Sequence, residues 1–142
     1  MIAQFIRIDK SNKDSRPEED ILFMTQPGAE ISNILRESCY DCHSNEVIYP
    51  WYTNIAPVSW WIKHHVNEGT HHLNFSEWRN YTSRKADHKL EECVEMIEED
   101  EMPMGSYTLM HGNAILSKQQ RALLIEWFSS LRTYESEQVK SN

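Results

Sequence analysis

Five residues, Cys39-Tyr40-Asp41-Cys42-His43, constrain this chain more than any other segment, because two thiols and an imidazole must be brought together within one short stretch of backbone. With the cysteine and histidine content of this chain, about 0.003 occurrences of C-x-x-C-H are expected by chance, so the spacing is informative. It is the form that attaches a c-type haem, in which two thiols add to vinyl groups of the macrocycle and the histidine binds iron. One helical turn between the thiols matches two vinyls along one edge, and the next residue brings its imidazole beneath the iron. Cys39 and Cys42 are therefore the expected anchors, His43 the expected iron ligand, and covalent haem c the expected cofactor. A redox dithiol would want a βαβ frame that the chain lacks. A zinc site using His64, His65 or Cys93 would want a second C-x-x-C.

The surrounding pattern is helical. Ile31, Ile34, Leu35, Ser38, Cys39 and Cys42 fall on offsets of one helix face, which predicts that both motif cysteines face the core. Pro57 opens a helix carrying Val58, Trp61, Ile62, His65 and Val66 and ending near Gly69, and Ser76 marks another helix start. Leu90, Cys93, Val94 and Ile97 form the stripe of a helix that ends before Pro103, with Cys93 as a small core residue. Its wet face carries Glu91, Glu92, Glu95, Glu98 and Glu99. The stretch from Met102 to Leu116 reads as a loop. Ser117 with Gln120 makes a capping box ahead of Leu123, Leu124, Trp127, Phe128 and Leu131. With only four glycines and five prolines and no β-branched runs, the expected fold class is all-α.

The length suits one domain. Residues 1–27 read as a polar arm or tether, 28–134 as the haem-binding domain and 135–142 as a polar tail. An apolar content of 39% is low for a core made of side chains alone, and an apolar prosthetic group would add to it. The net charge of −8 argues against nucleic acid as a partner and leaves an acidic face able to steer a basic redox protein. No apolar run approaches the roughly 20 residues of a membrane helix, and Met1-Ile2-Ala3-Gln4-Phe5-Ile6 is too short for a complete signal peptide. Either the chain is cytosolic or an export segment is missing from it.

A second axial ligand is expected from Glu101-Met102-Pro103-Met104, with Met102 first and Met104 and His111 as alternatives; His64-His65 and His71-His72 are weaker competitors. A thioether there would raise the iron potential and close the open position, favouring electron transfer over ligand binding. Tyr49, Trp51, Tyr52, Trp60, Trp61, Phe75, Trp78 and Tyr107 supply aromatic area suited to packing on a flat macrocycle, with Trp51, Trp60 and Tyr107 the expected contacts.

Together with the motif through Asn45, the blocks Tyr49-Pro50-Trp51-Tyr52, Ile55-Ala56-Pro57-Val58-Ser59-Trp60-Trp61, Leu73-Asn74-Phe75-Ser76-Glu77-Trp78, Glu101-Met102-Pro103 and Ser106-Tyr107-Thr108-Leu109-Met110-His111 resemble bacterial c-type haem-binding domain proteins, related in layout to class I cytochromes c. The resemblance spans most of the chain. It implies a small cytochrome c-like helical domain wrapped around one covalent haem, loaded outside the cytoplasm and hence periplasmic, with periplasmic redox proteins as partners. Family members follow a membrane anchor or signal, whose tail Gln4-Phe5-Ile6-Arg7 resembles; the anchor itself is absent from this sequence. The expected activity is single-electron transfer with no enzymatic step. Two alternatives stand beside it: a haem-based gas or redox sensor with an open distal position, and a zinc-stabilised interaction module.

Overall fold

The computed structural model describes residues 5–141; Met1 to Gln4 of the arm, including the start of its anchor-like segment, and Asn142 of the tail lie outside the described residues. The described residues form seven α-helices and no strand. The all-α expectation therefore holds. The helices are α1 (Ile21–Thr25), α2 (Ala29–Ser38), α3 (Tyr40–His43), α4 (Val58–His72), α5 (Ser83–Glu98), α6 (Gly105–Thr108) and α7 (Lys118–Ser141). Tighter 3-10 turns cover Trp51–Asn54, Phe75–Asn80 and Gly112–Ala114.

The scaffold is the pair α5 and α7. Ala86, Leu90 and Ile97 of α5 are buried in one apolar cluster with Leu124 and Phe128 of α7, completed by Ile34, Leu35, Phe75 and Trp78. The capping box at the start of α7 forms reciprocally: Ser117 N donates to Gln120 Oε1 at 2.9 Å and Gln120 N to Ser117 Oγ at 3.1 Å. The helix then runs through 135–141, the stretch whose polarity reads as a tail.

Three sequence expectations change in the fold. First, α5 is capped by Thr82, whose side chain accepts from Lys85 N, whereas Ser76 is buried and its hydroxyl accepts from Asn45 N at 3.0 Å. The capping residue of the Phe75–Asn80 turn is Asn74. Second, α4 passes through Gly69 to His72, so Gly69 serves close packing instead of ending the helix. Third, the helix expected across 31–42 breaks at Cys39 (φ −127°, ψ −39°). On a straight helix Tyr40 would lie about 180° from Ile31 and face water. The break turns it inward, where it is buried, stacks on Phe75 at 5.7 Å and donates to Asp20 Oδ1 at 2.7 Å.

The N-terminal stretch is also less free than its composition suggests. Ile21 is fully buried in the core, and the segment before it lies along residues 45–60. Lys10 Nζ donates to Asn54 Oδ1 at 2.7 Å, Asn12 Nδ2 to Val47 O at 3.1 Å and Trp60 Nε1 to Ile6 O at 3.0 Å.

Candidate functional site

The break at Cys39 sets the direction of the motif. Cys39 packs against the same core cluster as Cys93, while Cys42, one turn later, lines a cleft of about 290 Å³. The expectation that both cysteines share the core face is thus corrected by the change of helix direction between them. All three cysteines are free. Burial pushes the Cys39 thiol up to about 12 and the Cys42 thiol up to about 11, so both are protonated at neutral pH.

His43 is held from α4. Its Nδ1 lies 3.0 Å from Gly69 O and 3.2 Å from Leu73 O. A carbonyl can only accept, so Nδ1 carries the proton and Nε2 keeps its lone pair for a metal. Burial lowers the His43 pKa, against the two carbonyls, and favours the same neutral ring. Gly69 makes the close approach possible, since a Cβ built there would run into the carbonyl oxygen of Cys42.

The cleft walls come from the motif, the 47–52 loop, α4 and the α6 region. Val47, Ile48, Tyr49, Pro50, Val58, Trp61, Ile62, Val66, Met104 and Met110 make them predominantly apolar. His65 also lines the cleft, its ring 4.2 Å from that of Trp61. One polar seam crosses them. Asp41 Oδ1 accepts from Ile48 N at 3.1 Å and Asp41 Oδ2 from the Tyr107 hydroxyl at 2.8 Å. Burial, reinforced by Asp41, raises the Tyr107 pKa and keeps the phenol a donor. Tyr107 stacks on His111 at 4.1 Å, and the His111 ring nitrogens lie 3.1 Å from Tyr107 O and 3.1 Å from the Tyr52 hydroxyl.

Of the residues singled out from sequence, Cys42, Tyr49, Tyr52, Trp61, His65, Met104, Tyr107 and His111 line this cleft. Cys39, His43, Met102, Trp51 and Trp60 are not among its lining residues. Met102 is half-buried, with its backbone N donating to Met96 O at 3.1 Å. Trp51 is 72% exposed and meets Tyr52 edge-on, and Trp60 is engaged by the arm. Asp41 was not singled out, and Gly69 was read only as the end of a helix. Gly69 had a legible signal, because an isolated glycine inside a helical pattern usually answers a packing need. Asp41 had none beyond lying inside the motif.

A family model described as a haem-binding domain matches residues 1–130. The chain belongs to the haem-binding domain family. No curated protein and no solved structure matches it. The residues of this haem-binding domain fit the group: an apolar, aromatic-walled cleft adjoins a free thiol at Cys42, and His43 is fixed in the tautomer that leaves Nε2 for iron. The zinc alternative finds no such support, because no group of three or more His, Cys, Asp or Glu among the described residues could hold a metal ion. Among them, too, no helix is long and apolar enough to cross a membrane.

Proposed function

We propose that this domain holds its haem covalently through Cys39 and Cys42, ligates the iron through His43 Nε2, and works as a one-electron carrier in the periplasm without an enzymatic step. The observation that carries this reading is the clamp on His43 by the Gly69 and Leu73 carbonyls beside free, protonated thiols. Addition of a thiol to a vinyl group consumes both the sulfur and its proton, and these two thiols bring both. The bound haem supplies an iron that changes oxidation state by one electron. His43 would hold the iron, and the apolar side chains of Val47, Trp61, Val66 and Met110 would pack against the macrocycle. Attachment outside the cytoplasm, as the family resemblance implies, is the support for a periplasmic site of action.

A methionine of the Met102-Pro103-Met104 turn is the residue that would supply a second protein ligand to the iron. Met104 lines the cleft, whereas Met102 leads into the turn from the Met96 carbonyl. The test uses protein exported with a leader. Mass spectrometry is expected to show one added haem, reduced to a single thioether link in either Cys→Ala variant; a bare polypeptide with both thiols free would overturn the reading. In the loaded protein, the weak far-red band of sulfur-ligated ferric haem should vanish in either Met102→Leu or Met104→Leu and survive in the other. Survival in both would move the sulfur ligand to another residue, whereas a wild-type protein without the band that binds carbon monoxide in its untreated ferrous form would replace the electron carrier with a sensor whose iron keeps an open position.

A further inference from the structure

Resting on a haem seated in the cleft, one more role can be assigned inside the motif. We infer that the Asp41 carboxylate is a positioning group that latches the α6 segment onto the motif helix, with Tyr107 as the other half of the latch, and so holds the methionine-bearing wall of the cleft in place.

Helix α6 has only four residues and none of them is buried. Leu109, directly after it, is 84% exposed. Apolar burial therefore does little to hold this segment, and polar contacts must supply its position. Those contacts converge on Asp41, whose two oxygens serve donors far apart in sequence, Ile48 N and the Tyr107 hydroxyl. The same hydroxyl lies 3.4 Å from Glu37 O, and the stack of Tyr107 on His111 passes the restraint on to Tyr52.

The residue type follows from the demand. Both neighbours donate to position 41, and a carboxylate accepts from both with a full negative charge, whereas an asparagine could keep the Ile48 bond but would meet the Tyr107 hydroxyl only through a neutral one. A carboxylate also makes the stronger, charge-assisted bond to a half-buried phenol. The latch thus joins the motif, the 47–52 loop and the chain between Met104 and His111, which are three of the pieces that enclose the cleft.

The test takes the exported protein and its Asp41→Ala, Tyr107→Phe and double variants. Hydrogen exchange of the amides in 104–111 should accelerate about tenfold in each single variant, the scale of one charge-assisted bond, and no further in the double. In loaded protein the far-red sulfur band should weaken and carbon monoxide binding appear, with haem stoichiometry and helical circular dichroism unchanged. Wild-type exchange in the single variants, or additive effects in the double, overturns the latch. Faster exchange with an intact sulfur band overturns its positioning role. A wild-type protein without covalent haem would remove the preceding functional reading, and the exchange measurement would still decide the latch.

Discussion

A glycine inside a helix ordinarily weakens it by roughly 0.5–1 kcal/mol relative to alanine. At Gly69 the sign is reversed, because a methyl group would meet backbone at Cys42, which cannot move without displacing the motif. Gly69→Ala should destabilise the protein by about 1–3 kcal/mol in denaturant unfolding, the range of overpacked sites, and should loosen His43 as well. A neutral or stabilised variant would show that α3 and α4 are not in contact there. Asp20 gives a second test at this scale. Its Oδ1 accepts from Tyr40 and Leu22 N, while its Oδ2 is buried with no partner. Burial raises its pKa above the ordinary 3.8, against those two hydrogen bonds. A group with a raised folded pKa contributes stability that is complete below the unfolded value and is lost as pH rises through the folded one. The stability of Asp20→Asn relative to wild type should therefore increase with pH across that window, as read by urea unfolding at stepped pH; a flat difference would mean the carboxyl titrates normally.

At the scale of elements, the clearest local signals became the clearest helices. The Ser117–Gln120 box starts α7 with both hydrogen bonds made, so Ser117→Ala should cost about 1 kcal/mol of unfolding free energy without altering haem content. The stripe Leu90, Cys93, Val94 and Ile97 predicts α5 because its residues pack on a partner helix with the same period. Ser76 misleads for a physical reason: its hydroxyl answers Asn45, thirty-one positions earlier, and a local capping rule has no access to that partner. The same holds at Cys39, where periodicity continues α2 but the buried Tyr40, drawn to Asp20 and Phe75, turns the chain.

Across the whole molecule, apolar side chains that a solvated protein would normally cover remain open around the cleft. Ile48 is 75% exposed, and Trp61 and Met110 are exposed as well. A haem in the cleft would cover part of this surface. The Cys39→Ala, Cys42→Ala protein, carrying no anchored haem, should bind the dye ANS more strongly than loaded protein and melt at lower temperature; equal dye binding would place the haem elsewhere. The motif, the all-helical class and the α5 and α7 stripes were legible in the linear chain, because each depends on residues within a few turns of one another. The closed side of the cleft was not. Which thiol faces it, why Gly69 is a glycine, and how Asp41 reaches Tyr107 across 66 positions depend on contacts between distant segments, and those exist only once the α5 and α7 scaffold has brought the loops together.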